Sequence, residues 1–414
     1  MTTEQTDASS GSRGLLTFVF VYFVSLLSMA TVGVIIPNIK GYADLFQTDV
    51  SAIGFAVSLF SLPTALTATI AGGIIDRIGL RTSVGWGVTL FIAGSLLSFL
   101  AGSILMFDIA LIIVGIGYVG IAVGGPAILM SALSGSARVR AMSILSTCPP
   151  TGYALGLLIA GPLVEGPYWH LASVAQIALM ALLTPLIFIL PGRTARVQGS
   201  DDGAPKASML ANLRLERRVL FLAAACALPG FISYGTSLVA PSYIASVHQV
   251  SLGTSSVTVA IVKVVVAVLS GLAMGQLLSR IGGRSKTVLY GATALIGLVA
   301  QFFLFLPDSS LGLSVISLFI WLIAFSGLAS AAMASLPDVV SSPARAGLAS
   351  GMVSQVISSV SFIAPTIYFM TTSWLIFVGL AMGGLLMAFL GMVASQPSRV
   401  RPAGAAEQRR KAAA

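Results

Sequence analysis

One lysine interrupts the apolar run SSVTVAIVKVVVAVLSGLAMG at position 263. Read as a helix, this places Lys263 twelve residues from Gly275, about 18 Å of rise at 1.5 Å per residue. That is close to the middle of a ~30 Å hydrocarbon core. Ser256, Ala260, Ala267 and Ser270 share its helical face, while Val257, Ile261, Val264 and Val268 lie on the more apolar side. The amine is therefore expected to face the protein interior. A charge at that depth costs a few kcal/mol on insertion scales, on the order of +3, unless it is paired or hydrated. Acids at matching depth are missing from the sequence pattern: Asp108 and Glu165 fall near helix ends, and Asp44, Asp49 and Asp308 fall in loops. The chemistry open to such an amine is electrostatic capture of an anionic group such as a carboxylate. The bland alternatives are a snorkelling lysine, a neutral buried amine, or a span drawn at the wrong place.

Other polar groups at mid-span are Tyr22, Tyr118, Tyr153, Tyr234 and Gln355. An aromatic ring with a hydroxyl, or an amide, suits recognition of a small solute, although each serves equally well in packing. Pro229-Gly230, Gly235 and Pro241 are expected to break one helix, and Pro149-Pro150 with Gly152 another. Broken helices expose backbone groups beside solute sites. Covalent chemistry finds little here. The two cysteines, Cys148 and Cys226, both lie in apolar runs, and only two histidines are present. No metal site, no cofactor and no catalytic cluster is expected. Gly282-Gly283-Arg284-Ser285-Lys286-Thr287 resembles a phosphate-binding loop only superficially, because no glycine precedes Lys286.

The elements that must position these groups follow from composition. The 414 residues are 57% hydrophobic and 8% charged, with mean hydropathy +0.99. So little charge does not cover a water-facing surface. Continuous apolar runs recur along the chain, each long enough to cross a bilayer as a helix. Their continuity excludes a barrel, whose strands alternate. Run lengths and breakers predict twelve helices, over 14–36, 51–75, 83–102, 106–131, 141–164, 169–191, 219–245, 254–278, 287–306, 311–335, 347–370 and 374–396. Of 22 Lys and Arg, 20 fall in loops on one side of this arrangement, Lys40 falls on the other, and Lys263 is in a span. The positive-inside rule then puts both termini in the cytoplasm. The net charge of +9 is explained by topology and implies no nucleic acid.

Four landmarks repeat at nearly one offset: Pro37 and Pro241, Gly72 and Gly275, Arg140 and Arg345, Trp169 and Trp374. The spacing predicts two similar six-helix halves. The domain reading is a cytoplasmic leader (1–13), an N-terminal bundle (14–191), a cytoplasmic linker (192–218), a C-terminal bundle (219–396) and a basic tail (397–414).

The segment Gly72-Gly73-Ile74-Ile75-Asp76-Arg77-Ile78-Gly79-Leu80-Arg81 resembles the signature loop of the major facilitator superfamily, between the second and third helices. A degenerate copy keeps Gly275, Arg280, Gly282 and Arg284 between the eighth and ninth, with Ser279 where the acid would stand. The resemblance implies an all-α polytopic membrane fold of two pseudo-symmetric six-helix bundles. It implies that Gly72, Asp76, Arg77, Gly79, Arg81 and their partners form a conformational latch between the halves. It also implies that the helices carrying Tyr22, Tyr118, Tyr153, Tyr234, Lys263 and Gln355 line a central cavity. The drug exporters of that family carry an arginine in the fourth helix, and LIIVGIGYVGIAVGGPAIL has none. Their glycine-proline motif survives only in part, as Gly161-Pro162 and Gly166.

The expectation is a secondary carrier, symporter or antiporter, for a small organic anion, and the alternative is an exporter of drugs or toxic compounds. A proton is the candidate coupling ion, with Asp108 as one place to bind it. The protein is expected to be no enzyme, to act as a monomer, and to sit in a bacterial inner (plasma) membrane.

Overall fold

The computed structural model describes residues 3–132, 141, 144–145, 148–190, 217–280, 283–335, 339, 346–371 and 373–396. Among these the chain is helical, without strands. The N-terminal half contains α1 (Thr3–Ile35), α2 (Ile39–Phe46), α3 (Val50–Leu59), α4 (Leu62–Ile78), α5 (Leu80–Phe99), α6 (Ile104–Ala132), α7 (Cys148–Ala160) and α8 (Leu171–Leu183), the last running into a 3-10 turn (Thr184–Ile189). The C-terminal half contains α9 (Arg217–His248), α10 (Leu252–Arg280), α11 (Gly283–Leu304), α12 (Leu311–Ala334), α13 (Ala346–Phe369) and α14 (Trp374–Ser395). Nine segments are long and apolar enough to span a membrane, and three shorter apolar helices, Cys148–Ala160, Leu252–Ala267 and Gln355–Phe369, complete the predicted twelve among the described residues. The chain is a multi-pass integral membrane protein.

Helix pairing repeats between the halves. In the first, α1 packs on α7 and α8, α5 on α6 and α8, and α4 on α6. In the second, α9 packs on α13 and α14, α11 on α12 and α14, and α10 on α12. These are the same five contacts. Two larger seams join the halves, α7 against α10 and α4 (with α3) against α13. Exchanging equivalent helices turns one seam into the other, as a twofold relation between the halves requires.

Lipid offers apolar helices no hydrophobic reason to associate, so close van der Waals contact must hold them. Glycines make that contact possible where α1 meets α7. A Cβ on Gly33 would collide with the Tyr153 carbonyl, and one on Gly156 with the Ala30 carbonyl. The same pattern seats the α7/α10 seam, where a Cβ on Gly253 would stand 2.7 Å from the Gly161 carbonyl oxygen.

Several sequence expectations change in detail. Helix α1 starts at Thr3, before the expected Gly14. Once a helix is nucleated, each added residue gains a hydrogen bond, so a polar leader extends it. The single helix expected over 51–75 is two, α3 and α4, interrupted at Phe60 and Ser61. Pro63 supplies the reason, since it lacks the N–H that would bond back to Leu59. The connection treated as a loop around Asp44 contains α2, whose Tyr42 stacks edge-on against Trp169 at 4.8 Å.

The largest correction concerns α9. Pro229 and Pro241 do not break it; the helix runs without interruption from Arg217 to His248. Each proline removes the N–H that would serve the carbonyl four residues earlier. A tyrosine from a neighbouring helix serves each of those carbonyls. Tyr290 donates to Ala225 O at 2.5 Å, and Tyr153 donates to Ser237 O at 2.6 Å. The expected linker over 192–218 lies outside the described residues except for Arg217 and Arg218, which open α9.

Candidate functional site

Lys263 sits on α10 with 6% of its surface exposed, and Ser256, Ala260, Ala267 and Ser270 are buried on the same face. Ile261, Val265 and Leu269 are exposed on the opposite face, where lipid lies. The lysine therefore points into the molecule, across the α7/α10 seam. Its Nζ stands 4.4 Å from the centroid of the Tyr153 ring. A cation over an aromatic face is stabilised by the ring quadrupole, by about 0.5–2 kcal/mol depending on desolvation. Among the described residues it is the one charged side chain that is buried, and no carboxylate pairs with it. Two turns away on the same face, Ser256 Oγ is buried with no hydrogen-bond partner among the described residues.

Tyr153 is 4% exposed and held on two sides. Gly152 and Gly156 press α7 onto α1, and its hydroxyl is committed to Ser237 O of α9. What it presents toward Lys263 is therefore its ring face, with no free hydroxyl. Tyr118 on α6 and Tyr234 on α9 are half-buried, and Tyr234 lies within electrostatic reach of both Tyr118 and Tyr153. Tyr118 also packs against Phe60 at the α3–α4 interruption, with ring centroids 5.0 Å apart. The structure thus gathers Lys263, Tyr118, Tyr153 and Tyr234 from four helices of both halves.

Two other expected members have their own contacts. Tyr22 packs against Phe18 and Phe23 on its own helix, and its backbone carbonyl accepts from Cys148 Sγ at 3.6 Å. Gln355 crosses the other seam, donating from Nε2 to Ala65 O of α4 at 3.1 Å. It ties the two halves together at a level well inside the bundle.

The two seams tighten toward one end. Ser58 and Thr366 hydroxyls meet at 3.1 Å, and Gly54 lies against the Phe369 ring. On the other seam, Leu252 N–H donates to Glu165 Oε1 at 2.7 Å, so a carboxylate from the first half caps the N-terminus of α10 in the second. A carboxylate is favoured at the positive end of a helix dipole. Sequence reading left Glu165 as a helix-end acid and missed this bridge. The visible signal was an acid just after Gly161-Pro162, and its partner amide could not be read. A groove of about 430 Å³ runs over this contact, lined by Gly161, Glu165, Gly253 and Val257 among others.

At the opposite end lie the latch candidates. Gly72, Asp76 and Arg77 are in α4, and Gly275 and Arg280 in α10, but the side chains of Asp76, Arg77, Arg280 and Arg284 fall outside the described residues, as does the whole of Gly282. Gly79 joins α4 to α5 at φ 90°, a left-handed conformation that a side chain would strain. Arg81 lies over the Phe188 ring at 5.1 Å, a contact within its own half. Away from the latch, in the first turns of α6, Asp108 is half-buried, and its Oδ1 has no hydrogen-bond partner among the described residues.

A duplicated helical bundle with two seams, tied at one end and holding a buried lysine midway, has the architecture of a membrane carrier. The family pattern of the Major Facilitator Superfamily matches residues 18–365, and the chain belongs to that family of transporters. Curated relatives include a drug efflux pump of Mycobacterium tuberculosis, JefA, 27% identical over 40% of this chain and 32% of its own length. Multidrug resistance protein 2 of Bacillus subtilis is 25% identical over 40% of each chain. Vacuolar basic amino acid transporter 5 of Saccharomyces cerevisiae is 28% identical over 40% of this chain and 30% of its own. The matched stretch thus spans less than half of each of these relatives. Among solved structures, a bacterial homolog of the human lysosomal transporter Spinster superposes with TM-score 0.73 at 16% identity, covering 94% of this chain and 99% of that one. The nucleoside transporter NupG does so with TM-score 0.70, also at 16% identity, covering 91% and 99%. These two likenesses speak for the fold.

Proposed function

We propose that this transporter carries a small organic anion by alternating access, with Lys263 receiving the anionic group. The observation that supports this most is the state of the amine. It is buried, it faces an aromatic ring, and it has no protein carboxylate to neutralise it among the described residues. An unpaired buried charge is costly, and an anion brought from outside would offset that cost. The Glu165 and Ser58 contacts hold the two halves together at one end of the seams.

The test is uptake of radiolabelled organic acids into proteoliposomes by the full chain and by Lys263→Ala and Lys263→Arg. Uptake lost in Ala and largely kept in Arg supports the reading. Equal anion uptake by all three removes Lys263 from the site. A pH gradient imposed on the same vesicles reads whether a proton, with Asp108 as its proposed carrier, accompanies the solute.

A second reading, export of drug-like compounds, is favoured by the names of the bacterial relatives. Its discriminator is charge. A lipophilic cation brought near Lys263 is repelled, so active extrusion of a cationic dye that survives in Lys263→Ala would favour the exporter.

A further inference from the structure

Resting on that reading, we propose that the solute is a monocarboxylate with a flat, aromatic body. Three observations narrow the class. The first is charge number. Lys263 is the one charged side chain buried among the described residues, so the site neutralises one negative charge. A second carboxylate on the same solute would stay uncompensated, and removing an unpaired ion from water costs several kcal/mol, roughly 3–5 when a buried pair loses one partner. An α-amino acid fails for the complementary reason, because its ammonium group would approach a second cation.

The second observation is the shape of what surrounds the amine. Tyr153 offers its ring face to Lys263, and the Ser237 bond prevents the ring from swinging away. When a carboxylate draws the ammonium toward itself, that face is left as a flat apolar wall. The third is reach. Tyr118 and Tyr234 are half-buried where Tyr153 is buried, and Tyr118 is already seated against Phe60 at 5.0 Å. Rings stacked or tilted at such distances gain about 0.5–1.5 kcal/mol beyond their buried area. One cation among several aromatic faces recognises a ring bearing one carboxylate.

The experiment measures competition against a tracer and direct uptake in proteoliposomes of the full chain. The panel is benzoate, phenylacetate and 2-naphthoate; cyclohexanecarboxylate and pivalate, which match the charge without the ring; terephthalate, which doubles the charge; and phenylalanine. The aromatic monocarboxylates are expected to compete about tenfold better than the other four, a difference of about 1.4 kcal/mol. Their uptake is expected to vanish in Lys263→Gln, whose folding is checked by its melting profile, and to persist in Lys263→Arg. Terephthalate or cyclohexanecarboxylate matching benzoate, with Lys263 dependence intact, overturns this inference and leaves the anion reading standing. A panel without any Lys263-dependent uptake overturns the anion reading itself.

Discussion

The Tyr153 hydroxyl donates to the Ser237 carbonyl, and that carbonyl is the one Pro241 leaves without a backbone donor. The proline in α9 thereby fixes a ring in α7, and the ring fixes where Lys263 of α10 comes to rest. A substitution that looks like a helix repair is consequently expected to disturb a distant lysine.

A double-mutant cycle tests this chain of dependence. Tyr153→Phe keeps the ring but leaves Ser237 O unsatisfied, at a cost of about 1–3 kcal/mol. In a Pro241→Ala background, the backbone N–H of residue 241 can take that carbonyl, and the cost of Tyr153→Phe is expected to fall. Chemical or thermal unfolding in detergent gives both numbers. Equal costs in the two backgrounds would disprove the link.

Tyr290 repeats the device at Pro229, through Ala225 O, inside the second half. Tyr290→Phe is therefore expected to lower the unfolding free energy by a similar amount, about 1–3 kcal/mol. Anion KM should stay unchanged, because this bond lies away from Lys263. A several-fold shift in KM would contradict the separation.

The Glu165 cap on α10 crosses between the halves, so it exists only while that end is closed. Glu165→Gln weakens a charge-assisted bond at a helix N-terminus, and for an exposed group this changes a population ratio roughly two- to fivefold. The expected direction is toward opening at the Glu165 end. Spin-label distances between Leu163→Cys and Ser251→Cys would lengthen on average. An unaltered distance distribution would show that the carboxylate does not bias the closed state.

Gly156 meets the backbone of α1 at Ala30 and Gly33. Gly156→Val must push α7 outward, and overpacking of this kind costs about 1–3 kcal/mol. Lower thermal stability is expected, together with a changed anion KM, because Tyr153 rides on the same helix. A variant of wild-type stability would mean the two helices are less tightly seated than their contact indicates.

The spans were readable because apolar run length answers directly to bilayer thickness. The duplicated architecture was readable because Gly72 and Gly275, or Trp169 and Trp374, stand at matching places in two halves. The inward direction of Lys263 followed from the small residues on its face. Other features depend on partners far away in the chain. Nothing near Pro241 announces that Tyr153, 84 residues distant from Ser237, will rescue its carbonyl. Nothing near Glu165 announces the amide of Leu252, 87 residues on. Prolines read locally are helix breakers, and only the tertiary contact shows that these helices continue through them.

The two seams trade places under the relation between the halves, yet they do not carry the same side chains. Lys263 corresponds at the repeat spacing to Leu59, and Tyr153 to Ser358. A guest drawn to the amine consequently rests off the symmetry axis, with unlike walls to its left and right. The halves are duplicated, and only one carries a charge at this place. If the proposed solute binds there, such lopsided surroundings would distinguish the two faces of a planar guest, a discrimination that a perfectly symmetric channel lacks.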